Sequence, residues 1–131
     1  MRIDHVAIAV SDLDEAARTY KEALGADSVE FETVESEGVR VGIIRMENGR
    51  IELMQPVGDS SPIKKFLETR GQGLHHVALE TSDIEGEVGR MKDAGVRFLG
   101  DVRPGSEGTM VTFVHPKSLC GVLAELCSHP K

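Results

Sequence analysis

The sequence predicts an α+β fold built from two tandem βαβββ modules. Three observations predict it. First, the segment that begins at Ile3 is repeated, with one gap, by the segment that begins at Leu74. Second, short stretches that alternate apolar and polar residues, as half-buried strands do, follow each helix-like stretch. Third, Asp and Gly stand where each of the two long helices would begin and end.

The internal repeat aligns IDHVAIAVSDLDEAARTYKEALGA with LHHVALETSDIEGEVGRMKDAGV. In this alignment His5 falls on His76, and Glu52 in RIELMQP falls on Glu125 in LAELCSHP at nearly the same offset. These two pairs are the strongly polar strand residues that recur at matched places. The chain is therefore interpreted as a duplicated module.

In the first module, residues 1–57, a strand over residues 3–10 is followed by a helix. Asp12 offers the helix an N-cap, and Gly25 ends it after Leu24. Alternating residues then predict three strands, near 28–34, 39–47 and 50–55. The Asn-Gly pair in the turn 47–50 indicates a hairpin between the last two strands.

A connector, residues 58–72, carries a short helix with Ser60 or Ser61 as its cap and Pro62 in its first turn. The second module, residues 73–131, repeats the order of elements. It is expected to form a strand at 74–81, a helix at about 83–94, and strands near 96–102, 109–115 and 121–127. A Gly-rich loop spans 103–108. Together the three parts are expected to form one domain over residues 1–131.

The composition limits the classes of function. The formal net charge of −7 argues against binding to nucleic acids or anionic membranes, which requires a field of Lys and Arg. No stretch reaches the ~18 apolar residues of a membrane span, and the amino terminus lacks the pattern of a signal peptide. Cys120 and Cys127 have neither disulfide-framework nor zinc-ribbon spacing, so they are expected to be reduced small hydrophobic residues. We therefore expect a cytoplasmic protein.

Strand alternation assigns the repeated residues to faces of the sheets. His5 shares its face with Ala7 and Ala9, and His76 shares its face with Ala78. The opposite faces are more apolar and are expected to pack against the helices. Small residues beside each histidine leave room for something bulky.

Two imidazoles and two carboxylates at duplicated positions are candidate ligands for one divalent metal ion in a cleft. This mixture of donors suits Mn, Co, Fe, Ni or Zn better than Ca or Mg, and the set contains no thiolate. Four ligands on an octahedral ion leave two adjacent positions for a substrate with two oxygens. The alternative is that the histidines are ordinary core residues and the glutamates are surface charges. That alternative is commoner for any one such residue, but the recurrence of all four favours a metal site.

The chain resembles the vicinal oxygen chelate superfamily, which includes glyoxalase I, the extradiol dioxygenases and the bleomycin-resistance proteins. The segments HVAIAV, IELMQP, HHVALE and VLAEL carry this resemblance. Over almost the whole chain it is similar to the methylmalonyl-CoA epimerase family. EGVRVGII, GDSSPIKKFLETRGQGLHH and RPGSEGTMVTFVHPKSLCGVLAEL support that narrower resemblance, and HPKSLCGVLAEL is the most discriminating phrase.

The resemblance implies an isomerase with one divalent metal ion per chain, Co being favoured, held by His5, Glu52, His76 and Glu125. The substrate would be methylmalonyl-CoA, whose (2R) and (2S) forms are interconverted by proton removal and return at C2. Chelation of the thioester and carboxylate oxygens would stabilise an enolate. The resemblance also implies a homodimer and a role in propionate metabolism.

The sequence departs from the family at one position. Some relatives carry a glutamate base in a Gly-Val-x-Glu stretch, where this chain has Val41. We hypothesise that Glu52 supplies the missing carboxylate, so that Glu52 and Glu125 exchange protons with opposite faces of the substrate. Glu35 and Glu37 are less favoured substitutes, because acids beside turns are usually solvated.

Coenzyme A carries phosphates, which an acidic protein must bind through local cations. Lys117 and Arg103 are the first candidates, and Lys64 and Lys65 on the connector helix are weaker ones. Solvated surface charge is the alternative for each.

The remaining histidines are not assigned to the site. His75 should face away from His76 and contact the helix side or another subunit, His115 has a structural position before a proline, and His129 belongs to the tail.

Two other functions remain open from the sequence. One is a glyoxalase I-like metal-dependent isomerase or lyase, although only the ligand strands resemble that enzyme. The other is a metal-free ligand-sequestering module of the bleomycin-resistance type, which would not need the four metal ligands.

Overall fold

A computed structural model describes all residues, Met1–Lys131, and confirms the α+β class and the repeated order of elements. Three 3₁₀ turns, at 35–37, 106–108 and 116–119, accompany eight strands and three helices. The model contains no helix with the length and apolar character needed to cross a membrane. The elements are β1 (Arg2–Ala9), α1 (Leu13–Leu24), β2 (Glu30–Val34), β3 (Val39–Met46), β4 (Gly49–Pro56), α2 (Pro62–Arg70), β5 (Gly73–Glu80), α3 (Ile84–Asp93), β6 (Arg103–Pro104), β7 (Met110–Val114) and β8 (Ala124–Ser128).

The predicted helix caps are confirmed. The Asp12 side chain accepts a hydrogen bond from the Glu15 amide at the start of α1, and Gly25 ends that helix in the left-handed conformation, with φ of 67°. Ser61 caps α2, and Asp83 caps α3. These local signals place all three helices within a few residues of their predicted positions.

The chain forms two compact units. In the first unit, His5–His75, the strands are ordered β2-β3-β4-β1, and β1 runs parallel to β4. In the second unit, Met1–Asp4 with His76–Lys131, the order is β5-β8-β7-β6, and β5 runs parallel to β8. Each module thus pairs its first strand with its last, which brings the repeated histidine and glutamate of that module onto neighbouring strands.

The core of the first unit covers both faces of its sheet. On one face Leu13 of α1 packs with Ile44 and Leu53. On the other, which bears His5, Ala7 and Ala9 belong to one cluster with residues of α2. The space predicted beside His5 is therefore occupied, at these two alanines, by an apolar cluster to which the connector helix contributes.

The prediction of a strand over residues 96–102 is wrong. This segment forms only an isolated bridge between Phe98 and Val114, and its apolar residues pack against the α3 core cluster as irregular chain. The alternation of Val96, Phe98 and Val102 reflects burial in that cluster and is not accompanied by a continuous strand ladder. The short strand β6 lies instead in the predicted loop at 103–108.

Candidate active site

His5 and Glu52 form a buried pair in the first unit. In the parallel ladder of β1 and β4, Glu52 lies beside Ala7, and His5 precedes that alanine by two residues on the same face. The His5 Nδ1 atom is 3.4 Å from the Glu52 Oε2 atom, and the two residues are only 4% and 3% exposed. The first half of the predicted ligand set is thus brought together.

Arg50 joins this pair and was not identified from the sequence. Its Nη2 atom lies 3.1 Å from Glu52 Oε2 and 3.3 Å from His5 Nδ1, and its side chain is 8% exposed. A buried carboxylate needs a compensating charge or hydrogen bonds, and Arg50 supplies the compensating charge to Glu52. The Arg50 guanidinium therefore lies close to one donor atom of each of His5 and Glu52, the two residues that the sequence predicts to bind a metal. In the sequence, the position of Arg50 beside an Asn-Gly pair had indicated only that it belongs to a hairpin turn.

His76 and Glu125 form the corresponding pair in the second unit. Glu125 on β8 lies beside Ala78 on β5, and His76 precedes that alanine by two residues. The His76 Nε2 atom is 3.4 Å from the Glu125 Oε2 atom. The ring of Phe113, the β7 partner of Glu125, meets the imidazole edge-on, with centroids 5.1 Å apart. Both polar residues are buried, with exposures of 5% and 9%.

The two pairs therefore share one internal arrangement: a histidine two residues before an alanine, opposite a glutamate on the parallel neighbour. They differ in their surroundings. The position of Arg50, two residues before the glutamate, is taken by Leu123 in the second unit, and the position of Ile43 is taken by Phe113. The first pair has a cation for a neighbour, and the second has an aromatic ring.

Each pair suits a divalent metal ion such as Mn, Co, Fe, Ni or Zn. A buried imidazole nitrogen and carboxylate oxygen 3.4 Å apart are the donor types these ions prefer. Ligand atoms of a metal with bonds of about 2.1 Å lie about 3 to 3.5 Å apart, so the observed spacing needs little rearrangement. The donor sets thus pass a chemical test for the metal that the superfamily is expected to carry.

The family position of the missing base is fully apolar here. Val41 is 2% exposed and belongs to the core cluster that α2 covers. The less favoured substitutes, Glu35 and Glu37, lie in a 3₁₀ turn beyond β2, and Glu35 is exposed. One acid that sequence reasoning passed over, Glu32, is the cross-strand partner of Val41 on β2. Glu52, on β4, lies within 4 Å of His5.

The two first-choice cations differ in their surroundings. Arg103 on β6 is half-buried, lies over the Phe113 ring at 5.5 Å and has Val111 as its β7 partner. It therefore stands on the same strand face as Phe113 and Glu125. Lys117 is exposed in the 3₁₀ turn after β7.

The weaker candidates lie on α2. Lys64 Nζ is 2.6 Å from Asp59 Oδ1, and this hydrogen bond holds the pKa of Asp59 below its usual value and raises the pKa of Lys64. The Lys64 ammonium thus already has an anionic partner. Lys65 occupies the next position on the helix.

The other histidines have structural contacts. His115 caps the turn of residues 116–119 by accepting a hydrogen bond from the Lys117 amide at 3.0 Å, as expected of a structural residue. His75 contacts the Phe66 ring of α2 edge-on, with centroids 4.9 Å apart. His129, predicted only to belong to the tail, is 2.6 Å from Asp4.

The sequence profile of the Glyoxalase/Bleomycin resistance protein/Dioxygenase superfamily matches residues 4–113. The chain belongs to this superfamily, as the repeated βαβββ modules and buried His/Glu pairs indicated.

Among its relatives, the ethylmalonyl-CoA/methylmalonyl-CoA epimerase of Cereibacter sphaeroides is 44% identical, over 95% of this chain and 96% of the relative. The crystal structure of methylmalonyl-CoA epimerase from Mycobacterium tuberculosis has a TM-score of 0.94 and 36% identity, over 99% of this chain and 89% of that one. A methylmalonyl-CoA epimerase solved in complex with methylmalonyl-CoA and NH4+ has a TM-score of 0.93 and 36% identity, over 98% and 94%. Epimerases are thus similar to this chain in both sequence and fold.

Proposed function

We propose that the chain is a methylmalonyl-CoA epimerase, which interconverts the (2R) and (2S) forms of its substrate by exchanging the proton at C2. The observation that carries the proposal is the duplicated His/Glu pair, buried at one register in both modules. These pairs support metal-assisted proton exchange, and the similarity to epimerases over nearly the full chain supports methylmalonyl-CoA as the substrate.

His5, Glu52, His76 and Glu125 would together hold one divalent metal ion. Two observations support this: each pair has suitable donors at suitable spacing, and the two pairs are repeats of one another. When bound, the ion would supply Lewis-acid polarisation of the thioester and carboxylate oxygens, which acidifies the proton between them. Phe113 fixes the ring of His76, and the buried ladder positions keep the donors preorganised.

Glu52 and Glu125 would carry the proton. Inversion requires removal from one face of C2 and return to the other, so two acid/base groups are needed. Both side chains are almost completely buried, with exposures of 4% and 12%, so little water competes for the proton at their oxygens. Arg50 would hold Glu52 in place by charge.

Arg103 and Lys117 would bind the phosphates of coenzyme A. Arg103 stands on the strand face of Glu125, and the guanidinium is partly oriented by its contact with Phe113. Lys117 is free of a short-range acidic partner among the ion pairs described above and is exposed to solvent, as a phosphate anchor must be. Lys64 is less suitable because Asp59 already binds its ammonium group.

Proton exchange at C2 tests the function directly. The protein, loaded with Co²⁺, is incubated with (2R)-methylmalonyl-CoA in deuterated water, and both deuterium incorporation and the appearance of the (2S) form are followed. We expect both, and we expect a chelator to abolish both. Absence of exchange in protein that carries stoichiometric metal would contradict the function.

Ethylmalonyl-CoA is a second candidate substrate, because the Cereibacter sphaeroides relative is an epimerase for both thioesters by name. The same exchange assay with ethylmalonyl-CoA measures how far the protein accepts one additional methylene, a change that costs about 1–3 kcal/mol in a closely fitted pocket.

The proposal also includes Co²⁺ as the favoured ion, a homodimer, and a role in propionate metabolism in the cytoplasm. The first three rest on the family resemblance. The two free cysteines favour a reducing compartment. Sedimentation of the purified protein, and comparison of turnover with Co, Mn, Ni, Fe and Zn, test the assembly and the metal preference.

A further inference from the structure

A second cluster of metal-binding side chains lies in the second unit. It neighbours the proposed ligands in the sequence, since Asp4 precedes His5 and Cys127 follows Glu125 by two residues. It consists of Asp4 at the start of β1, Cys127 on β8 and His129 just beyond the end of β8. The carboxylate, thiol and imidazole each offer one ligand atom, and these atoms all lie within 4.8 Å of one another. The proposed epimerase chemistry uses none of the three residues.

The cluster is largely enclosed. Cys127 is 1% exposed, the Asp4 side chain is 9% exposed and the His129 side chain is 27% exposed. The Asp4 Oδ1 and His129 Nε2 atoms, two potential metal ligands, are 2.6 Å apart, a hydrogen-bond distance. The partial exposure of His129 leaves a route for an ion to enter from solvent.

We propose that Asp4, Cys127 and His129 form a second metal site, which takes a thiophilic divalent ion such as Zn²⁺ or Co²⁺. A mixture of sulfur, nitrogen and oxygen donors suits these ions and disfavours Mg²⁺ and Ca²⁺. Three protein ligands leave one tetrahedral position for water.

Binding at this site balances charge and protons. The Cys127 thiol releases its proton to solvent. The neutral His129 ring takes the tautomer with its proton on Nδ1, so the proton of its hydrogen bond to Asp4 leaves Nε2 through solvent and Nε2 presents its lone pair to the ion. One carboxylate, one thiolate, one neutral imidazole and one dication have no net charge, which suits an enclosed position. The hydrogen bond between Asp4 and His129 opens by somewhat under an ångström, since donors on one tetrahedral ion lie about 3.3 Å apart.

Cobalt provides a test specific to this site. The full-length protein is stripped of metal and titrated with Co²⁺, while bound metal is counted and the near-ultraviolet spectrum is recorded. We expect two equivalents of Co²⁺ per chain and a sulfur-to-cobalt charge-transfer band. The four residues of the proposed catalytic centre contain no sulfur, so this band reports the second site alone. The outcome is independent of the epimerase proposal, which the C2 exchange assay tests.

Cys127→Ser should abolish the band and one equivalent of metal while leaving turnover unchanged. Cys120→Ser is the matched control, because Cys120 is exposed and stands outside the cluster, and it should leave the band intact. His129→Gln tests the site without creating a cavity in the core. It should lower the affinity for the second Co²⁺ ion at least about tenfold, because even the loss of a residue that only hydrogen-bonds to a metal ligand lowers metal affinity by about that factor.

Several results would overturn the proposal. These are a wild-type protein that binds a single equivalent without the band, a band that survives Cys127→Ser, or undiminished binding in His129→Gln. In each of these cases the contact between Asp4 and His129 serves only to hold the carboxy-terminal tail against β1.

Discussion

Glu52→Gln separates the two roles proposed for this residue. Glutamine has nearly the same shape and keeps an oxygen that can bind a metal, but it cannot take up a proton from the substrate. If Glu52 is one of two bases, the variant should retain stoichiometric metal and lose inversion. The surviving base, Glu125, should still remove a proton from its own face of C2 and return it there. One substrate enantiomer should therefore exchange with deuterated water without inversion.

The size of the effect follows from the environment of Glu52. General acid/base groups contribute about 100- to 10,000-fold to rate, equivalent to ~2.7–5.5 kcal/mol. The Glu52 side chain is 4% exposed, so water cannot easily replace it, and we expect a loss near the upper end. The variant should also be less stable without metal, because Arg50 loses the carboxylate 3.1 Å from its Nη2 atom. Removing one partner of a buried ion pair costs about 3–5 kcal/mol.

The assay uses (2R)- and (2S)-methylmalonyl-CoA separately in deuterated water and follows exchange and inversion by NMR. Glu125→Gln should show the mirror-image result, with exchange of the other enantiomer. Glu80→Gln is the matched control, because Glu80 is a strand carboxylate in an ion pair, 3.6 Å from Arg2, without an assigned role in the reaction. Full inversion by metal-loaded Glu52→Gln, or equal loss of exchange from both enantiomers, would refute the assignment.

Three further predictions concern neighbouring positions. Adding Val41→Glu to the Glu52→Gln variant should restore at least part of the inversion. A melting curve shows how much stability is lost when a carboxylate is buried at position 41, which is 2% exposed. If the double variant folds but shows no recovery, a base at position 41 cannot replace Glu52. Arg50→Met should tighten metal binding at least about tenfold by calorimetry, since a cation within ~5 Å of the ion opposes binding by more than ~1 kcal/mol at an effective dielectric constant near 20. Arg45→Met is its control, because Arg45 is half-exposed and pairs with another acid, and unchanged affinity in both variants would count against competition for the donors. Lys117→Ala and Arg103→Ala should each raise KM about two- to fivefold with little change in kcat, because exposed ion pairs contribute up to ~1 kcal/mol. A pantetheine thioester lacks the phosphates of coenzyme A, so an equal rise in KM with that substrate would refute phosphate binding.

Much of the architecture could be predicted because the signals are local. Asp12, Ser61 and Asp83 cap the three helices as their types and positions indicated. The hairpin between β3 and β4 is confirmed, although Glu47 and Asn48, one position earlier than expected, form its two-residue turn. Strand alternation correctly separated the His5 face from the face that packs against α1, because a period of two leaves little freedom where both faces are buried. It did not show that α2 packs on the His5 face.

The features that sequence reasoning missed depend on tertiary contacts. The apolar residues at 96–102 have the spacing of a strand, but their burial comes from packing against α3, and only Phe98 finds a strand partner. Arg50 and Glu52 are two residues apart on one face of β4, so strand alternation could have paired them, but the burial of Arg50 depends on the surrounding tertiary structure. Likewise, Asp4 and His129 are far apart in the chain, and nothing local relates them. The His/Glu pairs could be identified from the sequence because a histidine and a glutamate recur at matched positions of both modules.

Anomalous diffraction from crystals grown with Co²⁺ would show whether His5, Glu52, His76 and Glu125 hold one ion, as proposed. We expect a cobalt peak within about 2.0–2.3 Å of one donor atom from each of the four side chains. An additional peak beside Cys127 is compatible with this result. Cobalt bound by only one of the two pairs, or absent from both in protein that catalyses C2 exchange, would contradict it.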